Sequence, residues 1–194
     1  VVTGNPVRTK ILEAKKDEAR KALGIGDEPF VLIFGGSLGA DRINENVVKM
    51  LSRVCSEKKF RLKFATGDRN FENIQNAIKE NNTELADNVE IVPYINNMHE
   101  VMAAADIVVC RSGAITLSEI AVLGKPSVLI PSPNVVRNHQ EQNAREFERG
   151  GAAKVITEDM LNSDILYNTI AELALDKELL KKMGDAAKVF ARKD

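Results

Sequence analysis

Short β-branched apolar runs alternate along this chain with stretches whose apolar residues recur every three or four positions. The runs at 30–34 (FVLIF), 61–66 (RLKFAT), 89–93 (VEIVP), 106–110 (DIVVC), 127–131 (SVLIP) and 153–157 (AKVIT) read as strands. Several are nearly continuous rather than alternating, the pattern of parallel strands covered on both faces. Helical periodicity falls near 40–56, 70–81, 97–105, 115–123 and 139–149, and two more helices, near 159–175 and 177–192, close the chain. The alternation predicts an α/β fold: a Rossmann-like, doubly wound, six-stranded parallel sheet with right-handed crossovers. The only linker-like stretch is the start, where Gly4, Asn5 and Pro6 form a turn signal.

Six parallel strands suggest the order 3-2-1-4-5-6, which makes strands 1 and 4 neighbours where the direction of winding reverses. Ligands of such sheets bind outside the carboxyl ends of the strands at that switch point. The loop after strand 1 is GGSLGA (35–40) and the loop after strand 4 is RSGAIT (111–116). Topology alone therefore sets the two loops richest in glycine and hydroxyl groups side by side.

Each loop carries two readings. Gly35, Gly36 and Gly39 permit positive φ and close approach of a ligand to the backbone, and the N–H groups of the following helix start attract phosphate. They equally suit a tight strand-to-helix turn. The spacing is not G-x-G-x-x-G, and Asp68 in ATGDRN is only loosely placed as a ribose ligand, so a nicotinamide dinucleotide is disfavoured. Thr116 and Glu119 have the T-x-x-E spacing of a capping box, in which both side chains serve the backbone. At a switch point the same carboxylate can accept both hydroxyls of a ribose. A third stretch, PSPNVVRNHQEQNA (131–144), is polar and proline-punctuated and opens a helix with Asn138, His139 and Gln140; the side-chain amides of Asn138 and Gln140 suit sugar hydroxyls. His99 reads as solvated.

The remaining chemistry narrows these choices. The chain has 194 residues, 44% apolar and 28% charged, with a net charge of −1, so no basic field points to nucleic acid. Cys55 and Cys110 sit in apolar patterns and read as reduced core thiols. No apolar run reaches the ~20 residues needed to cross a bilayer. The last helix, KKMGDAAKVFARK, is amphipathic with a basic face, either a solvated surface or a membrane-facing one. No D-x-D follows a strand, no histidine or cysteine spacing suits zinc, and two histidines in their loops cannot complete a Ser-His-Asp triad. The sequence begins at Val1 and runs straight into TGNPVR, which reads as the middle of a longer polypeptide.

Taken together, TGNPVR, FGGSLGA, VVCRSGAITLSEIAVLGKPSVLIP, NHQEQNA and GGAAKVI resemble the MurG family, in family order and spacing over nearly the whole chain. These are bacterial UDP-N-acetylglucosamine transferases that act on undecaprenyl-diphosphate-muramoyl-pentapeptide. The resemblance implies one half of a GT-B fold: residues 1–8 as a remnant of the interdomain linker and 9–194 as the C-terminal, UDP-sugar-binding domain. It implies substrate-binding roles for Arg8 and Ser37, with Gly36, near the donor diphosphate. The backbone of Ile95 would meet the uracil edge, Ala114 and Thr116 the nucleotide and its phosphate, and Glu119 the ribose hydroxyls. His139 and Gln140 fall where some members carry two glutamines facing the sugar, and His139 departs from that pair. The implied partners are UDP-N-acetylglucosamine, a lipid-linked acceptor held by an absent amino-terminal domain, and the inner face of the cytoplasmic membrane. No cofactor or metal is expected, nor any catalytic base on this half. The alternatives are another GT-B UDP-sugar enzyme, such as an epimerase or a glycolipid synthase, and a non-catalytic interaction module.

Overall fold

A computed structural model describes residues 9–36, 40–134 and 138–191. Its elements run α1 (Thr9–Glu13), α2 (Lys16–Ala22), β1 (Phe30–Phe34), α3 (Asp41–Glu57), β2 (Arg61–Ala65), α4 (Asp68–Glu80), β3 (Val89–Val92) and α5 (Met98–Ala104). They continue as β4 (Ile107–Cys110), α6 (Ala114–Leu123), β5 (Ser127–Leu129), α7 (His139–Arg149), β6 (Ala153–Val155), α8 (Ser163–Leu175) and α9 (Lys177–Val189). The strands form one parallel sheet in the order β3-β2-β1-β4-β5-β6, so the predicted switch point between β1 and β4 is present. Phe34 pairs with Cys110 in register, which sets the two strand ends level.

The pattern of β1 shows why the sheet is covered twice. All five of its residues are buried. Alternation sends Val31 and Ile33 into one core layer with Ile43, Leu51, Ile74 and Ile170 from α3, α4 and α8. Phe30, Leu32 and Phe34 enter the other with Met102, Leu117, Ile120 and Phe147 from α5, α6 and α7. Helix α9 reaches both layers, through Met183 on one side and Ala187 on the other.

Three local readings are corrected. The segment after the predicted linker is not featureless: α1 and α2 precede the sheet and pack on α5, α2 heavily. They also cover His99, whose side chain is 24% exposed beside α1 and α2 rather than solvated. The penultimate helix starts at Ser163, later than its periodicity suggests, because the Asn162 side chain accepts the Ile165 N–H at 2.8 Å and caps it. Cys110 is a fully buried thiol, which burial pushes well above its ordinary pKa. Cys55 is half-buried and accepts the Ala86 N–H at 3.4 Å; both cysteines are free. Among the described residues no helix is long and apolar enough to cross a membrane.

Candidate functional site

The end of β1 lies close against the start of α3. A Cβ on Gly35 would lie 2.4 Å from the Ala40 Cβ, and Gly36 has φ +89° with open space around it. Gly35 thus allows the close approach of strand and helix, whereas Gly36 supplies a left-handed conformation at the crevice. Asn44, in the first turn of α3, donates to the Thr66 carbonyl at 3.0 Å and ties this turn to the end of β2. Ser37 to Gly39 and Arg8 lie outside the described residues, so the implied roles of Arg8 and Ser37 have no geometry.

At the end of β4, Gly113 is the N-cap of α6 and no side chain caps the helix. The first helical bond runs from the Leu117 N–H to the Gly113 carbonyl at 3.0 Å. The N–H groups of Ala114, Ile115 and Thr116 precede it, and such groups attract anions. This corrects the capping-box alternative: Thr116 is the third residue inside α6, too late to be its cap. Ala114 is exposed and Thr116 half-buried, both at the mouth of the crevice. Glu119, one turn further in, is 3% exposed on a helix otherwise apolar along its buried face, and it has interaction partners within the chain.

The third loop comes from β5. Arg111 donates to the Ile130 and Pro131 carbonyls at 3.1 and 3.2 Å and pairs with Glu158, which follows β6. Ser112, fully buried, donates through Oγ to the Gln140 carbonyl at 2.7 Å. The Ser112 carbonyl accepts from Asn143 Nδ2 at 3.3 Å, and Gln140 Oε1 accepts the Ser132 N–H at 3.0 Å. Gln140 is therefore fixed against the loops at its backbone and at its amide oxygen. His139 is exposed at the start of α7 and has partners within the chain.

The structure thus gathers Gly36, Ala114, Thr116 and Glu119 at adjoining strand ends, and bonds Gln140 to them through Ser112. Ile95 lies in the segment between β3 and α5, its side chain 4% exposed in the core layer that also holds Phe34, Cys110 and Leu117. Arg111, Ser112, Ser132 and Asn143 escaped the sequence reading. Ser112 was visible beside Gly113 in CRSGA, but only its depth distinguishes a structural pin from an ordinary loop hydroxyl. The turn Gly35-Gly36-Ser37-Leu38-Gly39 also spells G-x-S-x-G, the spacing of a nucleophile elbow, so motif alone does not exclude one. Among the described residues no group of three or more His, Cys, Asp or Glu side chains is placed to hold a metal ion.

A parallel sheet with a switch point flanked by the Gly36 strand end and an uncapped helix start defines a Rossmann-like domain, and at such a place these sheets take phosphate-bearing ligands. The chain belongs to the glycosyltransferase family 28 C-terminal domain, whose profile matches residues 30–194. It is 50% identical, over 97% of its length, to the UDP-N-acetylglucosamine–N-acetylmuramyl-(pentapeptide) pyrophosphoryl-undecaprenol N-acetylglucosamine transferase of Acetivibrio thermocellus, and covers 50% of that protein. The transferase of the same name from Caldanaerobacter subterraneus subsp. tengcongensis is 47% identical over 100% of the chain, which covers 53% of it. A crystal structure of Acinetobacter baumannii MurG superposes with a TM-score of 0.75 at 27% identity, over 99% of this chain and 53% of that one. The chain spans about half the length of the curated relatives it matches. The family, rather than the motif, sets the elbow reading of Gly35–Gly39 aside.

Proposed function

We propose that this chain is the donor-binding half of an inverting glycosyltransferase that passes N-acetylglucosamine from UDP to an undecaprenyl-diphosphate-linked muramoyl-pentapeptide. The names of relatives at 47–50% identity support the reading. The observation that carries it is Glu119. A buried carboxylate needs polar partners; Glu119 has some within the chain, and its place one turn behind the uncapped start of α6 suits a ribose whose phosphates meet the N–H groups of 114–116. Its oxygens accept the two ribose hydroxyls, and the α6 start with the Gly36 turn holds the diphosphate. As the acceptor C4 hydroxyl attacks the anomeric carbon, charge accumulates on the departing UDP. The helix N-terminus then stabilises that charge more in the transition state than in the bound donor. The base and the lipid acceptor belong to the remaining half of the enzyme, which works at the inner face of the membrane, so this chain binds donor and does not turn over alone.

Calorimetry with UDP tests the reading. The wild-type chain should bind, and Glu119→Gln, which keeps the side-chain volume, should weaken binding at least about tenfold, the scale of a lost charged hydrogen bond. Unchanged UDP affinity in that variant, or a folded wild-type chain that takes up no UDP, overturns the proposal.

A further inference from the structure

The donor crevice is built on the starts of two helices, α6 and α7, that rise from neighbouring strands. Nothing in the sheet itself fixes how these two starts sit relative to each other, because β5 ends at Leu129, ten residues before α7 begins at His139. Residues 135–137 of that connection lie outside the described part. Two described bonds join residue 112, just before α6, to the start of α7, and the functional reading leaves Arg111 and Ser112 without a role.

Ser112 is the centre of this arrangement. It has no exposed surface, and its hydroxyl donates to the main-chain carbonyl of Gln140 at 2.7 Å. Asn143, one turn further along α7, returns a bond to the Ser112 carbonyl at 3.3 Å. Two bonds in opposite directions set both the distance and the rotation of α7 against residue 112, two positions before α6 begins. Arg111 anchors the pair from behind. Its guanidinium reaches the Ile130 and Pro131 carbonyls at 3.1 and 3.2 Å and also pairs with Glu158. Both partners of that ion pair are largely buried, at 15% and 18% side-chain exposure. The planar fork of an arginine can serve three acceptors on two loops at once, which a lysine cannot. The carboxyl ends of β4, β5 and β6 are thereby strapped together under the crevice.

We infer that Ser112 is a positioning residue: with Asn143, and with Arg111 as its anchor, it holds the α7 start carrying His139 and Gln140 in register with the nucleotide seat on α6. The inference rests on the donor-site reading above, and it makes a separate demand. A ligand that does not reach α7 should feel the pin little, and one that spans α6 and α7 should feel it fully. UDP is the first kind of ligand and UDP-N-acetylglucosamine the second. The bond uses the Gln140 backbone, so Gln140→Ala leaves the pin intact while removing the side chain it places.

The test is calorimetry of wild type, Ser112→Ala, Gln140→Ala and the double variant with both ligands, alongside thermal melts. Ser112→Ala is expected to weaken UDP-N-acetylglucosamine about five- to tenfold and UDP by less than about twofold, the size of one buried hydrogen bond redirected onto the sugar. The double variant should bind the sugar nucleotide no worse than the weaker single one, because residues acting through one another do not add. Equal losses for both ligands, no loss in either, or strictly additive losses would each overturn the positioning role. A wild-type chain that binds neither ligand fails at the donor site itself and takes this inference with it. Should Ser112→Ala not fold, Asn143→Ala, at a half-buried residue whose amide donates to the Ser112 carbonyl, must show the same selective loss in smaller measure.

Discussion

Gly35 and Gly36 are adjacent, and each is glycine for its own reason. A methyl on Gly35 would meet the Ala40 Cβ at 2.4 Å, and Ala40 is itself 3% exposed at the start of α3, with nowhere to retreat. A methyl on Gly36 meets nothing within 4 Å, but the residue would have to hold φ +89°. Gly35→Ala therefore acts by overpacking, at a cost of about 1–3 kcal/mol, and Gly36→Ala by backbone strain of about 1–2 kcal/mol. Urea denaturation should show both losses. The pair Gly35→Ala and Ala40→Gly distinguishes the causes, since removing the opposing methyl should restore much of the first loss. A double variant no more stable than Gly35→Ala alone would show that the steric account is wrong. The residues flanking Gly113 tell a similar story of depth: Ser112 and Thr116 carry the same functional group, yet Ser112 is fully buried and bonded across to α7 while Thr116 is half-buried at the crevice.

Helix α6 shows where sequence rules succeed and where they stop. Its existence, its direction and its place beside the β1 turn follow from periodicity and the winding of the sheet. Its first residue does not, because T-x-x-E spacing is satisfied equally by a cap at Thr116 and by a helix that began two residues earlier. Gly113 begins it without a side-chain cap, so Thr116→Ala should change stability by less than about 0.5 kcal/mol. Asn162→Ala, which removes the side-chain cap of α8, should cost about 1 kcal/mol. Chemical denaturation of the two variants decides the matter, and a Thr116→Ala loss as large as that of Asn162→Ala would reinstate the capping box. The opening helices were illegible for a different reason. Helix α2 reads KDEARKA and buries only Ala19, so it has almost no apolar stripe to detect. What fixes it is tertiary. Arg20 bonds to Asp106 at 2.9 Å and to the Ala104 carbonyl at 3.2 Å, and Lys16 reaches the same Asp106 at 2.5 Å. Contacts across some eighty-six positions leave no local periodicity behind. The candidate site divides along the same line: strand order placed its loops, but the Arg111–Glu158 and Ser112–Gln140 bonds join segments whose spacing in the sequence means nothing until the sheet is built.

At the scale of the whole molecule, parallel winding gives the two edges of the sheet opposite character. Helix N-termini gather at the carboxyl ends of the strands, where the proposed donor site lies, and helix C-termini gather at the other edge. A cavity of about 580 Å³ opens at that opposite edge. Its lining mixes five lysines and Arg20 with four aspartates, Asp106 among them, and the ends of α6 and α8, where cations are favoured, border it. Lys125 lies deepest, 5% exposed, with Nζ donating to the Ala103 and Ala105 carbonyls at 2.5 and 2.8 Å. Burial lowers its pKa to about 7, and the nearby cations Lys16, Arg20 and Lys188 push in the same direction against Asp106. A neutral amine has two N–H groups, enough for the two carbonyls. The unfolded chain holds the proton up to the ordinary lysine pKa of 10.5, so above pH 7 the unfolded state binds more protons than the folded one. Stability then rises with pH, by at most about 1.4 kcal/mol per unit for one proton. The clean window is pH 7 to 8.5, below the range in which the buried Cys110 thiol opposes the trend: unfolding frees that thiol to ionise, which lowers stability at higher pH. Urea titrations across that window should show wild-type stability climbing and Lys125→Met, less stable throughout for want of donors to the two carbonyls, running nearly flat. Parallel slopes in the two proteins would mean that Lys125 keeps its proton in the fold. The rising contribution would then have to come from a group elsewhere.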